Sequence, residues 1–150
     1  MKRMPIWEGI VIFEETIYGE PIAQPRARVA LRGKHIHAYT PSKHPINGWK
    51  DTLRLTAQKW VMNGGKMIAR PNSVEIMLDF YFLPPQCMKL KETAEHTKKP
   101  DLDNLIKAVT DALNGVVYED DSQISCIYAE KLYTPGNDPR VEILITGDAK

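Results

Sequence analysis

The clearest periodic signal in the chain lies between Asn72 and Phe82. Val74, Ile76, Leu78, Phe80 and Phe82 alternate with Glu75, Met77, Asp79 and Tyr81, the period of two that a strand with one buried face produces. Pro84-Pro85 ends it. Gly9 to Tyr18, rich in β-branched and aromatic residues, reads as an earlier strand. Arg26 to Leu31 and Lys34 to Tyr39 read as two short strands around an Arg32-Gly33 turn. The period changes after Pro45. Ile46, Trp49, Leu53, Ala57 and Trp60 recur at three- and four-residue spacings, which predicts a helix to Asn63 stopped by Gly64-Gly65. That aromatic stripe reads as core.

Gln86 to Lys99 is polar and lysine-rich and reads as a mobile loop containing His96. A second helix is predicted from Leu102 to Asn114, with Leu102, Leu105, Ile106, Val109, Ala112 and Leu113 on its apolar face and Gly115 as C-cap. Ser122 to Tyr133 and Arg140 to Thr146 are the last strands, joined by 134–139 as a hairpin loop. The order β-β-β-α-β-α-β-β predicts a single α+β domain over residues 1–150, with a mixed, mostly antiparallel sheet packed by two main helices. Because each helix lies between strands, a parallel pairing is available.

Composition narrows the class. No apolar run reaches membrane length, and Met1 to Glu8 has no apolar core for a signal peptide. Cys87 and Cys126 show neither CxxC spacing nor a histidine partner pattern, so reduced thiols and a cytoplasmic location are expected. Net charge is only +1, but it is unevenly spread. Pro21 to Lys50 carries six basic residues, three histidines and no acid, whereas Asp101 to Asp121 carries six acids against Lys107. A basic segment and an acidic focus in one domain fit a protein that attracts a polyanion and places a cation on it. Solvated surface charge is the plainer reading of the basic segment.

The acidic focus is the run Lys98-Lys99-Pro100-Asp101-Leu102-Asp103-Asn104-Leu105-Ile106-Lys107, followed by Glu119-Asp120-Asp121. At 100° per residue, Asp103, Lys107, Thr110, Asp111 and Asn114 share a helical face opposite the apolar one. Asp101 reaches the same spot only from an N-cap position outside the helix. Gly115 to Asp121, if extended, is long enough to bring Asp121 back beside Asp101 and Asp103; if it does not return, Asp121 can complete a site only on a partner chain. The donors are all oxygens, which favours Mg²⁺ or Mn²⁺ over zinc. Such an ion can polarise a phosphate and activate water, with Lys107 stabilising the developing charge. Structural readings of the same residues exist: a capping Asp101, a dipole-complementing Asp103, an i, i+4 pair of Asp103 with Lys107, and a turn at Asp120-Asp121.

The run from Lys99 to Lys107, then Asp111-Ala112-Leu113-Asn114-Gly115, then Glu119-Asp120-Asp121-Ser122-Gln123-Ile124, resembles the RusA family of Holliday-junction-resolving endonucleases, common in prophages and their bacterial hosts. Pro21 to Arg28 resembles its N-terminal Pro/Arg motif, and Lys131-Leu132-Tyr133 sits where the family carries a lysine-bearing strand. The resemblance implies a homodimer acting in DNA recombination and repair. It would bind four-way branched DNA and nick symmetry-related strands with Mg²⁺ or Mn²⁺, without a small-molecule cofactor. It marks Asp101, Asp103 and Asp121 as metal-binding carboxylates, aligning Asp121 rather than Asp120, and Lys107 as the catalytic lysine. Arg26, Arg28, Lys98 and Lys99 flank the motif or open the basic segment and are the candidates for phosphate contact. A non-catalytic DNA-binding or architectural protein is the alternative. A small-molecule phosphotransferase would need a Gly-rich phosphate loop, and Gly64-Gly65 lacks that spacing.

Overall fold

The computed structural model describes residues 9–147, so the Met1 to Glu8 segment lies outside it. The elements are β1 (Ile10–Tyr18), β2 (Arg28–Arg32), β3 (His35–Tyr39), α1 (Pro45–Met62), β4 (Val74–Phe82), β5 (Ala94–Glu95), α2 (Leu102–Leu113), a 3-10 turn (Asp121–Gln123), β6 (Ile124–Tyr133) and β7 (Arg140–Gly147). This is the α+β architecture that the periodicities predict. Five strands form one mixed sheet in the order β1-β7-β4-β6-β5, and β2 and β3 form a separate ribbon. β4 runs parallel to β6, with α2 as part of the crossover, and antiparallel to β7.

β4 anchors the core because its alternation is the most complete. Val74, Ile76, Leu78, Phe80 and Phe82 are buried in one cluster with Ile46, Trp49, Leu53 and Ala57 of α1 and Leu105, Ala108, Val109, Ala112 and Leu113 of α2. Trp60 packs at this core's edge, its ring 5.4 Å from that of Phe13 in an edge-on contact. Gly65 does more than stop α1: a Cβ there would lie 2.2 Å from the Trp60 indole.

Two expectations are corrected. First, β6 and β7 are not a hairpin, because β4 lies between them. The six residues 134–139 reach about 20 Å, ample for the roughly 10 Å between strands two places apart. The Thr134 N–H is anchored on the Phe82 carbonyl at 2.9 Å as the loop crosses. Turn-forming residues therefore marked a loop without marking adjacency.

Second, the segment before α2 is not the free loop that its polarity suggests. Ala94 and Glu95 pair with Tyr133 and Leu132 at the sheet edge. The His96 N–H donates to the Lys131 carbonyl at 2.9 Å. Its imidazole is buried between Phe82 and Tyr133, with ring centroids 4.7 and 4.4 Å away. Edge pairing needs only backbone groups, so polar side chains conceal it.

Burial, and then the Lys131 ammonium, push the His96 pKa below its ordinary value. The unfolded chain thus binds this proton more readily than the folded one. The resulting stability is full above the unfolded value, roughly 6.5, and is lost as pH falls through that value towards the folded one. His96→Phe is expected to lose less melting temperature than wild type between pH 7.5 and pH 5. Equal losses in the two proteins would refute this.

Candidate active site

The site begins at the start of α2. Asp101 occupies the N-cap with extended backbone (φ −73°, ψ 138°), yet its side chain makes no capping hydrogen bond. Its carboxylate is thereby spared the usual cap duty. Asp103, in the first turn, and Lys107, one turn on, are also exposed. The expected Asp103–Lys107 pair does not form. The Lys107 ammonium instead lies 3.8 Å from Asp111, which also faces Lys50 of α1 at 3.6 Å. Asp111 is partly shielded at 32 % exposure, so water competes less for it. Thr110, placed by periodicity on the polar face, is buried, and its carbonyl accepts the Tyr118 hydroxyl at 2.7 Å.

The Pro/Arg segment folds against this helix start. The Gln24 N–H donates to the Asn104 carbonyl at 2.9 Å. A groove of about 590 Å³ runs between the two, with Arg26, His44, Lys99, Asp101 and Asn104 in its walls. Two of the four phosphate-contact candidates, Arg26 and Lys99, therefore share a groove with Asp101. Arg28 opens the ribbon and Lys98 lies on the segment before α2; both are exposed but are not among the groove's lining residues.

Asp120 and Asp121 have different surroundings. Asp120 caps the 3-10 turn: its carboxylate accepts the Ser122 N–H at 2.8 Å, and the Gln123 side chain accepts the Asp120 N–H at 2.9 Å. Those Ser122 bonds hold the Asp120 pKa below the usual carboxylate range, with Arg70, 3.4 Å away, acting in the same direction. Gln123 also donates to the Ile68 and Asn72 carbonyls at 3.2 and 2.9 Å. Asp120 thus belongs to a clamp between 68–72 and 119–123, and Asp121 is the exposed residue beside it. Arg70 and Lys50 escaped sequence reasoning because their partners lie about fifty or more residues away.

Among the described residues, Asp101, Asp103 and Asp121 do not gather into one metal-sized group. The Val116-Val117-Tyr118 segment is folded against the end of α2, with Val117 and Tyr118 buried. The Tyr118 pKa is pushed up by burial first, and then by the nearby charges of Asp121 and Asp111. Asp121 therefore sits by the later turns of α2 and the start of β6. Asp101 lies at the other end, where the Lys131 ammonium of β6 takes the Pro100 carbonyl at 2.6 Å. The strand from Ile124 to Lys131 spans about 23 Å. Among the described residues, no three His, Cys, Asp or Glu side chains group closely enough to hold a metal ion.

An exposed, all-oxygen acidic end of a helix, beside a cation-lined groove, is suited to a phosphodiester backbone and a hard cation. The family model for Endodeoxyribonuclease RusA matches residues 18–146. An uncharacterized Bacillus subtilis (strain 168) protein, YqaN, is 36% identical over 139 residues, 87% of this chain and 92% of that protein. The chain belongs to the RusA endodeoxyribonuclease family.

Proposed function

We propose that this protein is a divalent-metal-dependent endonuclease that resolves four-way DNA junctions by paired nicking, as a homodimer. The observation that carries the reading is the groove that sets Arg26 and Lys99 against Asp101 in a chain of this family. Their cations would neutralise backbone phosphates and bring a strand to the start of α2. The donor chemistry there fits Mg²⁺ or Mn²⁺, which keeps several waters and needs few protein carboxylates. Asp101 and Asp103 would hold the ion, which when bound supplies Lewis-acid polarisation of the phosphate. Lys107, a turn above Asp103, would face charge developing on the phosphate, with Asp111 fixing its ammonium on the solvent side of α2.

The position of Asp121 supports the dimer. A carboxylate at the far end of α2 can join Asp101 and Asp103 only from a second chain. A two-fold dimer supplies two such composite sites and matches the pseudo-two-fold symmetry of a junction. The expected result is Mg²⁺-dependent appearance of symmetric nicked duplexes from a synthetic four-way junction, with junction binding but no cutting in EDTA. Binding without cutting in every divalent metal would favour a non-catalytic architectural protein instead.

A further inference from the structure

The Asp101 carboxylate has no anchor of its own: its side chain makes no capping bond, and the residue is held only through its carbonyl, which accepts the Leu105 N–H at 3.2 Å. Its position is inherited from the turn that delivers it, and that turn is held from outside. The Lys131 ammonium donates to the Lys98 carbonyl, and to the Pro100 carbonyl at 2.6 Å. One side chain thus grips the last residue before Asp101 and another two residues earlier. Lys131 stands on β6, which is paired along its length to β4 and, at Tyr133 and Leu132, to β5. The grip is therefore referenced to the centre of the sheet. The His96 N–H, bonded to the Lys131 carbonyl, pins the same segment two residues upstream of Lys98.

The chemistry suits lysine. An ammonium carries three donors, and two carbonyls leave one for water or a neighbouring anion. Burial lowers the Lys131 pKa, and the Asp101 carboxylate acts in the opposite direction. A cation there costs desolvation, and the carbonyl pair and nearby carboxylate offset that cost.

We propose that Lys131 is a positioning residue for this nuclease: by clamping the Lys98 and Pro100 carbonyls it fixes where the Asp101 carboxylate stands. The inference rests on the reading of Asp101 as a functional carboxylate. The same clamp sets the exits of Lys98 and Lys99, so phosphate contacts and acidic centre would be held in one frame.

Lys131→Met and Lys131→Arg in the full chain test it. Methionine keeps the stem and removes the donors, whereas arginine keeps charge and donors. For Lys131→Met, single-turnover cleavage at saturating junction is expected to fall about 10- to 100-fold, while the metal-free junction Kd shifts less than about threefold. Hydrogen exchange should quicken from Lys98 to Leu105 and stay unchanged in β4 and β7. Lys131→Arg should recover most of the rate. Wild-type cleavage by Lys131→Met would overturn the proposal, as would a Kd that weakens in step with the rate, because that marks a direct DNA contact. If exchange quickens throughout the sheet, Lys131→Arg decides: recovery supports the clamp and failure to recover overturns it. A wild-type chain that cuts no junction removes the nuclease reading itself and the positioning role with it. A cutting wild type with an indifferent Lys131→Met removes only the clamp.

Discussion

Asp101→Asn, and separately Asp103→Asn, should reduce cleavage of a four-way junction by about a thousandfold or more while leaving junction binding near wild type. The magnitude follows from the role. A hard cation held by carboxylates contributes several kcal/mol to stabilising charge on a phosphoryl group, and each factor of ten in rate is about 1.4 kcal/mol. Asparagine is nearly isosteric but neutral, so it removes a metal-binding charge without opening a cavity. Neither residue is a structural support: Asp101 makes no capping bond, and both side chains are exposed. Folding should therefore be intact, and melting temperature within a few degrees of wild type. Binding should persist because the proposed phosphate contacts, Arg26 and Lys99 among them, are left in place. The measurement is single-turnover cleavage beside a binding titration in EDTA. Full cleavage by either variant would end the assignment of these carboxylates to the chemistry.

The contrast with Asp120 makes the prediction specific. That residue is adjacent to Asp121 and is also an aspartate, but its carboxylate accepts the Ser122 N–H and lies beside Arg70. Its removal should loosen the clamp between 68–72 and 119–123, which is a stability effect rather than a loss of cleavage chemistry.

What was legible in the sequence divides along physical lines. Strands and helices whose burial is one-sided announced themselves: β4 through its alternation, α1 and α2 through their stripes. The Asp101 cap position followed from helix geometry, because a helical Asp101 would point away from Asp103. What stayed hidden depended on contacts between distant segments. The pairing of β5 with β6 uses backbone groups that any residue has. Lys107 has an aspartate one turn away on either side, Asp103 and Asp111, and spacing alone does not choose between them. Chain length alone permitted Asp121 to return along α2, but length sets only a maximum reach. Val117 and Tyr118 were apolar enough to be drawn into the core at the far end of the helix, and the Tyr118 hydroxyl found the Thr110 carbonyl there. Core burial, not chain reach, decided where this segment runs.

That placement leads to the second large effect. Asp101→Asn and Asp121→Asn should each be inactive as homodimers, yet a mixture of the two should regain cutting. In a mixed dimer with composite sites, the Asp121→Asn chain supplies an intact Asp101 and Asp103, and the Asp101→Asn chain supplies an intact Asp121 to the same site. The opposite site then carries both lesions. Random reassortment makes about half of the dimers mixed, each with one working site, so a first nick should return at roughly a quarter of the wild-type site concentration while paired nicking stays absent. If all three carboxylates act within one chain, no dimer in the mixture contains a complete site, and cleavage stays at the level of the separate variants. Subunit exchange must precede the assay, by co-expression or by joint refolding, and a tagged chain verifies that mixed dimers have formed. Restored single nicking, confined to one strand per junction, is the result expected if Asp121 completes a partner's site; failure of verified mixed dimers to cut would end that proposal.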